Sequence, residues 1–236
     1  MIILGIDTAT DRLSAALITD DNVYARHKDS RTSHCELLTG FIGELATDAG
    51  IKISDIEGVG ISTGPGSFTG LRIGIATAMG FTYGLGIEAV GINTIMGMAW
   101  NVPDNGQLLC PVIDAKRGEV YTGMYRFISQ GQVPEEIMPP TAMPLAKLTE
   151  TVASQNEAVH FTGPGSITLR ESIESLLPSA AFVETDKAKS SALSIAQIAS
   201  ILFARGDSVN PASISPIYLR RSDAEIALAK KKACKG

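Results

Sequence analysis

With 236 residues, 44% of them hydrophobic and 19% charged, the chain can bury a sizeable core and falls outside the disordered class. Its net charge of −5 argues against a free-standing nucleic-acid binder, which would carry a basic face, but leaves room for a subunit whose partner holds RNA. Cys35, Cys110 and Cys234 are scattered and form no C-x-x-C pair, which excludes a zinc ribbon or disulfide framework and fits a reducing cytoplasm.

Ile2 to Ile6 is a continuous apolar run, as in a strand buried on both faces, and Asp7-Thr8-Ala9-Thr10 ends it. Neither a charged signal-peptide start nor an apolar run of about 20 residues is present, so no membrane span is expected. Leu13 to Ile18 and Val23 to His27 complete a meander. Thr32 or Ser33 then opens a helix, with Glu36 set for a capping box and Gly50 for a C-cap. Its apolar stripe, from Leu37 to Ala49, is wide enough to face both the parent sheet and a partner. Gly58 to Ser62 reads as a strand, and Gly64-Pro65-Gly66-Ser67-Phe68-Thr69-Gly70-Leu71-Arg72-Ile73-Gly74 turns it into a helix ending near Leu85. Ser67 or Thr69 can cap that helix, whose free N–H groups make a natural anion site. The turn has neither the lysine of a P-loop nor the spacing of a dinucleotide fingerprint.

A strand at Glu88 to Gly91 and a helix from Asn93 to Trp100 follow, then Val102 to Gly106 as a domain linker. Leu108 to Ile113 and Glu119 to Phe127 form a second meander around Asp114-Ala115-Lys116-Arg117-Gly118. Pro134 to Pro144 reads as irregular, Leu145 to Ser154 as a helix and Ala158 to Thr162 as a strand. Gly163-Pro164-Gly165-Ser166 opens a helix over Ile167 to Leu177; Leu193 to Arg205 is an amphipathic helix, and Pro216 to Arg220 is extended. These elements predict an N-terminal lobe over 1–102, a C-terminal lobe over 103–192, a segment 193–220 packing back between them, and a basic tail over 221–236.

The two halves rhyme. Each begins with an apolar strand ending in Asp, at Asp7 and Asp114, and each later opens a helix with Gly-Pro-Gly-Ser, at Gly64 and Gly163. Such a duplication suggests the actin-like (ASKHA, ribonuclease H-like) α/β fold, two-lobed with mixed sheets. Asp7, Thr8, Asp114, Gly163 and Gly165 would then face an interlobe nucleotide. The turn after Asp7 has no glycine, however, and Pro164 removes an N–H from the adenosine side, so these residues read as a vestigial site with no cofactor. His27, His34 and His160 lie far apart, which leaves no metal-ligand set. An ATP-dependent kinase of the actin-like superfamily is the first rival reading, and a glycoprotease-like metallopeptidase the second.

Taken together, Ile6 to Thr10, Gly64 to Gly74, Asp114 to Tyr121 and Pro216-Ile217-Tyr218-Leu219-Arg220 resemble the hallmarks of the bacterial TsaB (YeaZ) family, in family order along almost the whole chain. The resemblance implies a cytoplasmic, non-catalytic scaffold in the synthesis of threonylcarbamoyladenosine at position 37 of tRNAs that read A-starting codons. It implies a TsaD-like catalytic paralogue and a TsaE-like ATPase as partners, a homodimer when alone, and tRNA contact only through the complex. It places the contact on helix 33–49, with His34, Leu37, Leu38, Phe41 and Leu45, and on the helix after Gly70, with Arg72, Ile73, Gly74, Thr77 and Ala78. The spacing of Gly70, Gly74 and Ala78 by four adds to that expectation. Glycine within a helix costs about 1 kcal/mol relative to alanine, and its retention here is explained if another backbone must come close.

Overall fold

Two five-stranded sheets with one strand plan organise the computed structural model, which describes residues 1–29, 34–102, 106–128, 132–184 and 188–220. In the first, β1 (Ile3–Asp7), β2 (Arg12–Ile18), β3 (Val23–Asp29), β4 (Gly58–Gly64) and β5 (Glu88–Asn93) lie in the order β3-β2-β1-β4-β5. In the second, β6 (Leu108–Lys116), β7 (Glu119–Arg126), β8 (Glu135–Pro144), β9 (Val159–Thr162) and β10 (Ala181–Phe182) lie in the order β10-β9-β6-β7-β8. Read from β8, this is the same arrangement. In each sheet the first three strands form an antiparallel meander, and the last two add in parallel beside the first.

Parallel neighbours need crossovers, and helices supply them. In the first sheet these are α1 (His34–Ala49) and α2 (Phe68–Leu85). In the second they are α4 (Leu145–Ala153), then α5 (Pro164–Thr168) with α6 (Arg170–Leu176). Leu38, Ile42 and Leu45 of α1 and Ile75 and Ala78 of α2 pack on Leu4, Ile6, Leu13, Val59 and Ile61. The opposite face is covered by α7 (Ala192–Arg205), which reaches back from the chain's far end to place Ile195, Ile198 and Ala199 against Ile3, Val90 and Ile92. Gly5 and Gly60 permit this approach, since a Cβ at either would collide with Ala192, Ala196 or Ala199. Between the sheets sits α3 (Thr94–Trp100), whose Ile95 and Met98 pack on Leu109, Tyr121 and Tyr125. On the outer face of the second sheet, Leu148, Val152 and Ile173 meet Leu108, Cys110 and Phe161.

Several local expectations change. Residues 135–144 form β8 instead of an irregular stretch; at a sheet edge Pro139 and Pro140 break no outer ladder, and the pairing absorbs them through register shifts. The single helix expected over 167–177 begins at Pro164 and breaks at Leu169 (φ −107°, ψ 12°). Ser67, not Thr69, caps α2 by accepting from the Gly70 amide at 3.2 Å. Asn93 caps α3 through the amides of Ile95 and Met96. The expected cap at Thr32 or Ser33, the centre of the 102–106 linker and the tail from 221 lie outside the described residues.

Candidate functional site

A cleft of about 670 Å³ opens between the lobes. Ala9, Thr10 and Gly66 to Phe68 wall it on one side, and Ile113, Asp114, Lys116, Tyr121, Pro164 and Gly165 on the other; Lys189, Ser190 and Arg220 also line it. Both aspartate turns reach this region because β1 and β6 occupy the same position in their sheets.

Asp7 is 1% exposed. Its Oδ1 accepts from the Ala9 amide at 3.0 Å and the Ser62 hydroxyl at 2.8 Å, and its Oδ2 from the Ser190 hydroxyl. Burial pushes its pKa up, and those bonds offset the rise only in part. Beside it the Thr8 hydroxyl donates to the Gly70 carbonyl at 2.8 Å. The Ser67 amide donates to the Ala9 carbonyl at 2.7 Å, so two donors at the start of α2, Ser67 and Gly70, are already used within the chain.

Asp114 is held differently. Its Oδ1 accepts from the Lys116 amide at 2.7 Å and its Oδ2 from the Lys116 ammonium at 2.6 Å. Partial burial raises its pKa, but the two bonds from Lys116 outweigh that and leave it lowered. The clasp supports a left-handed turn, with φ of 66° at Lys116, 59° at Arg117 and 77° at Gly118. Gly163 and Gly165 rest on β6: a Cβ at either would meet the Val112 carbonyl, so these glycines serve the chain's own packing. At the rim Asp29 accepts from Arg12 at 2.8 Å and from Lys189 at 3.4 Å; chiefly the Arg12 bond lowers its pKa to about 2.

A magnesium ion bridging to nucleotide phosphates would need carboxylate oxygens turned to the cleft. All four oxygens of Asp7 and Asp114 instead hold donors from the chain itself, so these residues do not fit such a ligand. Among the described residues no group of three His, Cys, Asp or Glu side chains is placed to hold a metal. The Cys110 thiol, pushed up to about 12 by burial, is not a poised nucleophile.

The helical face divides in two. Leu38, Leu45, Gly70, Gly74 and Ala78 are buried within the chain. A Cβ at Gly70 would strike the Thr8 carbonyl, and one at Gly74 the Thr8 hydroxyl, so the backbone that the four-residue spacing anticipates is that of β1's own turn. Leu37, Phe41, Ile73 and Thr77 are half-buried, and Arg72 is exposed. The His34 side chain lies outside the described residues. Gly40, Gly43, Gly80 and Gly84 border open space, and Tyr83 is 60% exposed. Ser62 and Ser190 are site residues that the motifs did not single out, and only contacts between distant segments reveal them.

A family model described as TsaD, tRNA N6-adenosine threonylcarbamoyltransferase, matches residues 26–228. The tRNA threonylcarbamoyladenosine biosynthesis protein TsaB of Escherichia coli K12 is 31% identical over 234 residues, covering 94% of this chain and 96% of that protein. TsaB of Bacillus subtilis 168 is 29% identical over 186 residues, covering 78% of this chain and 80% of its own. The solved structure of YeaZ from Pseudomonas aeruginosa superimposes with a TM-score of 0.81 at 23% identity, covering 92% of this chain and 99% of that one, and shares its two-lobed, actin-like fold.

Proposed function

Because the chain belongs to the TsaB family of tRNA threonylcarbamoyladenosine biosynthesis proteins, we propose that it serves that synthesis as a non-catalytic subunit that binds and activates a TsaD-like paralogue. The observation that carries the non-catalytic reading is the capture of both turn aspartates, Asp7 by Ser62, Ser190 and the Ala9 amide, and Asp114 by Lys116. What the chain offers a partner is then surface. The outer faces of α1 and α2, with Leu37, Phe41, Ile73 and Thr77 half-buried and four glycines bordering open space, are the contact in this reading. In the cytoplasm the same face would pair two copies when the paralogue is absent, a TsaE-like ATPase would join the complex, and tRNA would be held through the paralogue.

Co-purification from the native cell tests this, with mass spectrometry of digested tRNA as the functional readout. The expected result is a TsaD-like protein in the eluate, loss of threonylcarbamoyladenosine on depletion, and rescue by a folded Asp114→Ala chain. Failure of that folded variant to rescue overturns the vestigial reading of the second turn. Titration of the isolated chain with Mg-ATP giving micromolar affinity, about −8 kcal/mol, overturns the non-catalytic assignment in favour of a kinase.

A further inference from the structure

Two motifs separated by 146 positions meet on the surface beside this helical face. Arg72 belongs to the glycine-rich turn and its helix, Tyr218 to the Pro-Ile-Tyr-Leu-Arg segment near the end of the described chain. Arg72 Nε donates to the Tyr218 hydroxyl at 2.9 Å, and its guanidinium carbon lies 5.7 Å from the Tyr218 ring centroid. That ring stacks in turn on Phe68, with centroids 4.4 Å apart and planes 10° from parallel. The backbone beneath is pinned on both lobes. The Ile217 amide donates to the Thr63 carbonyl at 2.7 Å, Leu219 packs into the core around α3, and Arg220 bonds the Ala115 carbonyl and pairs with Glu119 at 3.2 Å.

Arg72 contrasts with most of its peers, Arg205 at the end of α7 being another that forms no ion pair among the described residues. Arg12, Arg26, Arg126, Arg170 and Arg220 each pair with a carboxylate. Arg72 is exposed and, among the described residues, forms no ion pair; a tyrosine hydroxyl holds it instead. A guanidinium fixed at Nε with its terminal amino groups unpartnered presents a planar fork matched to a carboxylate, and fixing it beforehand reduces the ordering cost of binding.

We propose that Arg72, positioned by Tyr218 and Phe68, is the anchor that receives an aspartate or glutamate side chain of the protein partner docking on the outer faces of α1 and α2. This rests on the partner reading above and names the chemistry of recognition there. The surroundings suit a protein. Ile73 and Thr77 are neutral and half-buried, Ile217 and Tyr218 are 37% and 39% exposed, and an arginine beside an aromatic in such a setting has the composition of an interface hot spot. A phosphate backbone would call for several unpaired cations on one face. The occupant is the paralogue in this proposal: among the described side chains of the two helices, Glu44 and Asp48 of α1 already pair with Arg26 and α2 contains no carboxylate, so a second copy offers Arg72 no unpaired acid there.

Calorimetric titration with the TsaD-like paralogue of the same organism, at low and high salt, tests the proposal. Arg72→Lys keeps the charge but loses the fork, and Tyr218→Phe keeps the stack but loses the hydroxyl. The expected result is binding weakened about tenfold or more by Arg72→Lys and about threefold by Tyr218→Phe. Melting midpoints should stay within about 2 °C of the parent. A merely structural role would lower the melt and leave affinity and its salt dependence alone. If the parent binds and both variants bind equally well, the anchor is overturned and the partner reading survives. If the parent itself fails to bind, both fall. Variants that keep the paralogue but lose affinity for purified tRNA in a gel shift would reassign Arg72 to phosphate and overturn the protein assignment.

Discussion

The two aspartate turns occupy equivalent positions in sheets of one plan, yet their carboxylates are held in opposite ways. In the first lobe the carboxylate is sealed, and its partners come from three segments, at Ala9, Ser62 and Ser190. In the second it stays partly open and is clasped by a single residue two positions on, Lys116. The first arrangement ties the chain together across 183 positions; the second only shapes a hairpin. The same position in the sheet thus serves as a strut in one lobe and a turn brace in the other. Stability, more than chemistry, should show the difference.

The strongest way to break this comparison is Asp7→Ala, which leaves buried donors on Ala9, Ser62 and Ser190 without an acceptor. A loss of about 2–4 kcal/mol is expected in urea titration. Asp7→Asn should restore most of it, because an amide can accept from Ala9 and Ser62 and donate to Ser190. The pH dependence sharpens the point. The folded-state pKa of Asp7 is raised, so its contribution is greatest below the ordinary carboxylate range and falls as pH climbs from about 4 through the raised value. The melting difference between Asp7→Asn and the parent should therefore move in favour of asparagine from pH 4 to pH 8. A difference that does not vary with pH would show that Asp7 is not perturbed by burial.

Asp114→Ala is the matching change in the second lobe. Water can replace what it loses, so about 1 kcal/mol is expected, read by the same titration. A cost equal to that of Asp7→Ala would erase the contrast. The smallest effect concerns a strain that only the second turn carries. Arg117 adopts φ of 59°, a region asparagine tolerates better, and Asn-Gly is the favoured pair in two-residue hairpin loops. Arg117→Asn should stabilise by about 0.5 kcal/mol, seen as a small rise in melting midpoint. Destabilisation would mean that the arginine side chain contributes more than its backbone costs.

Much of this architecture is legible in the sequence because it rests on local pattern. The strand–Asp–turn–strand units, the glycine-rich turn into α2 and the amphipathic α7 each follow from periodicity and punctuation within a short window. What escapes is pattern completed by a distant neighbour. Prolines 139 and 140 argue against a strand until the edge position of β8 is known. The spacing of Gly70, Gly74 and Ala78 announces a close approach but not its identity, which is the Thr8 turn. Ser190 looks like one more serine before a helix, and only the fold brings it onto Asp7.

The placement of α7 bears on how the molecule comes into being. Residues 192–205 supply one whole side of the first lobe's core, so during synthesis β1 to β5 must wait for more than a hundred later residues before that side is covered. Until then Ile3, Val90 and Ile92 stay wet beside glycines that invite any passing small-residue helix. The first half of this polypeptide is therefore the last to be finished. A ribosome-bound fragment ending before residue 192 would be a client for chaperones, not an independent domain.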